Sequence, residues 1–244
     1  MNTERSIARQ PYHLLIFLGP PGAGKGTQCK RIANITKLPH ISMGDILREN
    51  ILRNSELERK VKGLMSRGTL VPDALVMHML SERVADVDCA EGFILDGLPR
   101  TTNQAQLLDL HLSTIIGPMK ALSVRVIRLM LDRDSLIQRV ANRRMCPTCG
   151  QAYNTHTRPP RIQGVCDFDG AGLIVRDDDR EETVAERLRI YEEQVLPIAG
   201  YYAKQGNLFE ISGDRAVEDL TLNILSSLVG FCVQRESTMN AIQE

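Results

Sequence analysis

The stretch Gly19-Pro-Pro-Gly-Ala-Gly-Lys-Gly-Thr27 constrains this chain more than any other. The short apolar run Leu14-Leu-Ile-Phe-Leu18 leads into it, and a stretch suited to a helix, Thr27 to Ile35, leads out. Strand, glycine-rich turn and helix together make the setting in which a loop wraps a chain of phosphates. Glycine lets the main chain come close enough for its N–H groups to surround phosphate oxygens, and the helix N-terminus adds a favourable partial charge. Gly22, Ala23, Gly24, Gly26 and Thr27 are therefore candidate ligands for a nucleoside triphosphate. Lys25 is placed to reach its β- and γ-phosphates and to follow charge as it moves.

The rest of the chain alternates in a way that suits such a loop. Short strands are expected at 40–42, 93–96, 124–131 and 208–211, besides the run before the loop. Helical patterns occupy 44–53, 55–66, 72–84, 102–110, 135–142, 180–203 and 217–234. Alternation of this kind predicts an α/β fold, a doubly wound parallel sheet of five strands covered on both faces. Lys plus Arg and Asp plus Glu stand at 30 each, so the chain lacks the cationic surplus of a generic nucleic-acid binder. No apolar run approaches the roughly 18–20 residues that span a membrane. Leu14 to Leu18 is also too short for a secretory signal, so a cytoplasmic protein is expected.

One region breaks the rhythm. Between about Arg144 and Val175 the chain is rich in Pro, Gly and Cys. Cys146-Pro-Thr-Cys149 and Cys166-Asp-Phe-Asp169 have the spacing of two metal knuckles, each offering a pair of ligands. With Cys146, Cys149, Cys166 and Asp169 all supplied by protein, the expected ion is a structural Zn²⁺ with no position left for water. Cys29, Cys89 and Cys232 lack such spacing, and the five histidines are scattered, so both sets read as structural.

The loop departs from the general pattern in having Gly26 directly after the lysine, with Thr27 next. In this it resembles the nucleoside monophosphate kinases, adenylate kinase in particular, and the resemblance runs from about Leu14 to Asp219. It implies a P-loop core over 12–232, a monophosphate-binding insertion at 42–71 and a zinc-bearing lid at 142–179. It further implies Mg²⁺-dependent transfer of the γ-phosphate of ATP to AMP by a monomer. Ile41-Ser-Met-Gly-Asp-Ile-Leu-Arg48 resembles the start of the acceptor arm, where Met43 would meet the AMP base and Arg48 its α-phosphate. Thr69, Leu70 and Val71 look like the stretch that contacts the acceptor ribose and base. Asp96-Gly-Leu-Pro-Arg100 resembles the second phosphate motif. There Asp96 would organise water around Mg²⁺, Gly97, Leu98 and Pro99 would border the acceptor, Arg100 would clamp its phosphate, and Gln104 would read the adenine edge.

On the donor side, the resemblance puts Arg139 and Arg143 on one helical face against ATP, with Ala152, Tyr153 and the backbone at Arg215 around its base. Arg176 and Arg187 would close over the transferring group and touch AMP, while Asp178 and Asp179 orient the arginines. Such a set suits phosphoryl transfer, which depends on positioning and charge stabilisation, and planar guanidinium groups grip phosphate in two places. Two positions depart from the family. Met43 stands where a threonine is common, and Leu98 replaces an aromatic; a thioether gives up hydroxyl contacts but packs well against a flat base. A GMP, UMP or CMP kinase, or a zinc-ribbon nucleotide sensor, are the alternative readings.

Overall fold

The computed structural model describes residues 11–51, 56–116 and 121–229. Its centre is a sheet of five parallel strands: β1 (Tyr12–Leu18), β2 (His40–Ser42), β3 (Gly92–Asp96), β4 (Leu122–Met130) and β7 (Leu208–Ser212), in the order β2-β3-β1-β4-β7. Helices α1 (Lys25–Thr36), α2 (Met43–Ile51), α3 (Glu56–Ser66), α4 (Asp73–Val84), α5 (Thr102–Ile116), α6 (Arg133–Ala141), α7 (Glu181–Ile190), α8 (Leu196–Lys204) and α9 (Val217–Ser227) connect and cover it. The end of the last expected helix, with Cys232, lies outside the described residues, as do 52–55.

Strand alternation decides which helices lie on which face. Leu14, Ile16 and Leu18 of β1 join Phe93, Leu95 and Val126 in one cluster, closed over by Leu80 of α4, Leu108 and Leu112 of α5 and Tyr202 of α8. Leu15 and Phe17 point the other way, with Ile94, Ile127 and Leu129, against Ile32 of α1, Leu136 of α6, Leu188 of α7 and Ile224 of α9. Each such side chain contributes about 1.5–3 kcal/mol when fully buried. Because β1 is flanked by β3 and β4, the chain reverses its winding there. That leaves a crevice at the carboxyl ends of the strands, where Leu18, Asp96 and Met130 give way to loops and Ser42 to α2.

A small antiparallel pair, β5 (Arg143–Met145) and β6 (Ala152–Asn154), opens the irregular region, and Met145 bridges to Ile174. Three differences from the sequence pattern have physical causes. The helix expected over 180–203 is two helices joined by a wide π turn, Tyr191–Val195, in which the Leu196 N–H bonds to the Tyr191 carbonyl. Pro197 at the start of α8 cannot donate, and the wider turn absorbs that missing bond. Arg143 is not on the helical face of Arg139: α6 ends at Ala141, and Arg143 begins β5, pulled into the hairpin by pairing with Asn154. α5 also runs to Ile116, beyond its expected end. No helix among the described residues is long and apolar enough to cross a membrane.

Gly92 opens β3 with φ +129°, and a Cβ there would lie 1.9 Å from the His13 carbonyl oxygen of β1. A Gly92→Ala substitution should therefore force β3 away from β1 and cost about 3 kcal/mol or more. Denaturant unfolding measures this, and an unshifted midpoint would refute the close strand approach.

Candidate active site

The phosphate loop is built by the end of β1 and the start of α1. Gly24, the N-cap of α1, has φ +93°, a left-handed conformation that costs other residues about 1–2 kcal/mol. No side chain caps this helix, so its first N–H groups remain turned toward the crevice. Lys25 curls back over the loop, its Nζ donating to the carbonyls of Gly19 (2.7 Å) and Pro20 (3.0 Å). Burial pushes the Lys25 pKa down to about 8; Asp96 opposes this, while Arg100 and Arg187 add to it. The helix is anchored from behind by a buried polar bridge: Gln28 donates to the Val217 carbonyl and accepts from Thr221 Oγ1 of α9.

Lys25, Leu70, Gly97, Pro99, Arg100 and Arg187 all line one open cleft of about 520 Å³. Around it the cations and carboxylates interleave. Arg143 Nε donates to Asp179 Oδ2 at 2.7 Å, and Arg143 forms a second contact with the other oxygen. Arg176 forks onto Asp178 at 3.0 and 3.1 Å, and Arg187 Nη1 reaches the same carboxylate at 3.0 Å and the Asp178 carbonyl at 2.9 Å. Burial alone would raise the Asp178 carboxyl, but Arg187 and Arg176, with Arg48 and Arg143 behind them, hold it at about 2. Burial lowers Arg187 to about 10, with Arg143, Arg176 and Arg100 adding repulsion against the pull of Asp178. Arg100 and Arg176 are lowered by the same burial.

Arg48 of α2 pairs with Asp45 one turn earlier. Arg100 Nε donates to the Gly97 carbonyl at 2.7 Å. Gln104 is buried, its Oε1 accepting from the Arg100 N–H (2.7 Å) and its Nε2 donating to Asp73 (2.6 Å), which also holds Asn103 and Thr101. Asp73 was not singled out by sequence; its signal is only its place as the first residue of α4. Thr69 is tied to the Leu64 carbonyl, and Val71, Met43 and Leu98 belong to the buried cluster with Leu47 and Leu95, so Met43 and Leu98 support the strand ends from inside. The end of α3 reaches α7, where Thr183 Oγ1 donates to the Ser66 carbonyl at 3.2 Å.

Arg139 stands apart from the other arginines, 3.7 Å from Asp214 beside Arg215. Ala152 and Tyr153 lie on β6; the Tyr153 ring is buried in the small module, its hydroxyl accepting the Asp167 N–H at 2.8 Å. Asp96 ends β3, with an oxygen 3.4 Å from His40 Nε2. A Cβ at Gly26 would sit 3.3 Å from the same carboxylate, so the glycine leaves Asp96 open to the loop, a fit for a hydrated magnesium ion.

The ligand atoms of Cys146, Cys149, Cys166 and Asp169 lie within 4.8 Å of one another. Cys146 Sγ is 3.1 Å from Asp169 Oδ2, and the Cys149 and Cys166 sulfurs are 3.6 Å apart. A tetrahedral zinc ion with these ligand types has edges of about 3.3–3.8 Å, so the donor set fits. The Thr148 and Cys149 N–H groups point at Cys146 Sγ, and Ala171 N–H at Asp169, the outer support such a centre needs. One knuckle rests on α1, where Lys30 Nζ donates to the Gly150 carbonyl at 2.8 Å.

The adenylate kinase family model matches residues 17–207. The chain is 42% identical over 215 residues to the adenylate kinase of Finegoldia magna, a span of 88% of this chain and 98% of that one. It is 44% identical over 217 residues to the adenylate kinase of Fervidobacterium nodosum, covering 89% and 98%. To the adenylate kinase of Clostridioides difficile it is 40% identical over 214 residues, covering 88% and 97%.

The lowered Lys25 pKa has a measurable sign. Above about pH 8 the free chain holds Lys25 neutral, and a polyphosphate must recharge it. Triphosphate affinity should therefore fall as pH rises through 8, by up to about tenfold per unit, with proton uptake on binding. Calorimetry near pH 9 in two buffers of different ionisation enthalpy measures the uptake. Lys25→Arg should abolish it, and equal uptake by both proteins would assign the proton elsewhere.

Proposed function

The chain belongs to the adenylate kinase family, and on that premise we propose how its own residues divide the reaction between them. The enzyme transfers the γ-phosphate of ATP to AMP, reversibly, giving two ADP. What carries the proposed division of labour is the convergence of Lys25, Arg100 and Arg187 on one cleft.

The loop from Gly22 to Thr27 holds the ATP phosphates on main-chain N–H groups, and Lys25 leaves the carbonyls of Gly19 and Pro20 to follow the moving phosphoryl group. Arg48 and Arg100 clamp the AMP phosphate, with Gln104 keeping the Arg100 backbone in place. Thr69, Leu70 and Val71, with Gly97, Leu98 and Pro99, border AMP, and Met43 supports its pocket from within. Arg139, Arg143, Ala152, Tyr153 and the backbone at Arg215 surround ATP. Arg176 and Arg187, held by Asp178 and Asp179, face the transferring group from the lid side. Asp96 would hold magnesium through water, and an ion bound there would supply charge neutralisation at the ATP oxygens. These side chains orient the two nucleotides and exclude water; no protein nucleophile is involved.

The arm at 42–71 and the lid at 142–179 are the parts that move over the core 12–232. The lid, with Cys146, Tyr153 and Cys166 as its buried apolar cluster, is too small to hold itself by packing, and structural zinc would supply its folding energy. One chain carries the residues for both nucleotides, which supports a monomer. The described cysteines are all free, in keeping with a cytoplasmic protein.

A coupled ADP-formation assay with ATP, Mg²⁺ and each of AMP, GMP, UMP and CMP tests the reading, with AMP expected to lead. Lys25→Met should lower kcat at least about 10³-fold with the fold intact. Undiminished turnover would end this account. Chelation of zinc should expose 142–179 to protease while leaving most far-ultraviolet circular dichroism in place. Helix loss throughout the chain would contradict a structural role confined to the lid.

A further inference from the structure

Outside the lid, one other group of metal-ligating atoms comes together among the described residues: Cys29 Sγ, His40 Nε2 and an Asp96 oxygen, all within 4.8 Å of one another. Three elements supply them. Cys29 is on α1, one turn beyond the phosphate loop; His40 starts β2; Asp96 ends β3. The register explains the meeting. His40 pairs with Ile94 and Ser42 with Asp96, so His40, Ile94 and Asp96 share a sheet face. Ile94 packs in the same cluster as Cys29, so that face is the one α1 covers.

The donor set is chemically selective. Magnesium is hard, prefers oxygen and keeps its waters, so it gains nothing from a thiol or an imidazole. Cysteine sulfur, imidazole nitrogen and carboxylate oxygen suit a zinc-class ion, and three protein ligands leave one position open. His40 and Asp96 are already 3.4 Å apart, close to a tetrahedral edge of about 3.3–3.8 Å. The sulfur, at most 4.8 Å away, has to shift by at most about 1 Å, within the reach of a χ1 adjustment. Cys29 is fully buried, whereas the His40 and Asp96 side chains are each 13% exposed, so the set opens through those two. Asp96 directly precedes Gly97 of the cleft wall, and Lys25 lies close enough to Cys29 and Asp96 to feel both.

We propose that Cys29, His40 and Asp96 form a second divalent-cation site, specific for thiophilic ions such as Zn²⁺, on the floor of the phosphate cleft, and that filling it stops phosphoryl transfer. The ion takes Asp96 out of its place beside the ATP-bound magnesium and lays positive charge next to Lys25, so it opposes productive binding of magnesium–ATP. The lid zinc and this one differ in kind: the first has four protein ligands and supports folding, the second has three and reports on metal in the surroundings.

The test uses the full-length, zinc-loaded protein. Zinc bound per chain is counted by equilibrium dialysis without nucleotide, and ADP formation is followed as free Zn²⁺ is raised at fixed Mg²⁺. The native chain should bind one zinc more than Cys29→Ala, a difference independent of how many ions the lid holds. The midpoint of zinc inhibition should rise at least about tenfold in Cys29→Ala, whose basal turnover is retained. His40→Gln, at the exposed rim, should weaken binding and inhibition in the same way, and it decides the matter if Cys29→Ala folds poorly. Equal zinc stoichiometry and equal inhibition in native and variant proteins would overturn the site. An extra zinc that binds but leaves turnover unchanged would overturn its inhibitory role.

Discussion

Arginines that repel one another are held in a single cleft by two aspartates. Arg143, Arg176 and Arg187 come from β5, the stretch just before Asp177 and α7, and each leans on Asp178 or Asp179. Arg48 and Arg100 approach from α2 and from the loop after β3, close enough to perturb the same groups. Asp178 and Asp179, even with Asp45 beside Arg48 and Asp96 beside Lys25, do not neutralise five guanidinium groups and a lysine. The excess is what a pair of nucleotides satisfies, and the cost of gathering cations in a half-buried space is met before any substrate arrives. α2, the loop after β3, β5 and α7 are thereby tied to one electrostatic centre.

The sheet makes that centre possible by ending its strands at one level. Leu18, Ser42 and Asp96 stop together because the registers of β1, β2 and β3 are fixed by their buried alternation, and the loops beyond carry the chemistry. The polar bridge from Gln28 to Thr221 fixes α1 against α9, so the phosphate loop rests on a part of the fold that does not depend on lid or arm. Rigid floor and tethered walls are the division that phosphoryl transfer needs.

How much of this was legible in the sequence follows from how local each feature is. The loop at Gly19–Thr27 and the knuckles at Cys146–Cys149 and Cys166–Asp169 are short patterns whose spacing already carries their chemistry, and the strands showed themselves as short apolar runs. Gln104 and Asp73, 31 residues apart, and His40 and Asp96, 56 apart, meet only through the packing of elements, and no spacing announces them. Arg143 looked helical because it sits four residues after Arg139; hairpin pairing in the lid overrode that local period. The burial of Met43 and Leu98 in the cluster with Leu47 and Leu95 is likewise a product of tertiary packing that no local pattern announces.

The π turn at Tyr191–Val195 changes which way the helix faces on either side of it. Ile190, Tyr191 and Val195 face the cleft, while Ile198 and Tyr202 beyond the turn are fully buried under the sheet. Each residue in ordinary helical winding advances the chain by about 100°. The wide turn therefore acts as a phase shifter, letting one continuous rod pack Leu188 against one face of the sheet and Ile198 and Tyr202 against the other, with Ile190, Tyr191 and Val195 at the cleft between them. Deleting any single residue there would rotate everything downstream by about that angle, so the length of this segment is as constrained as its composition.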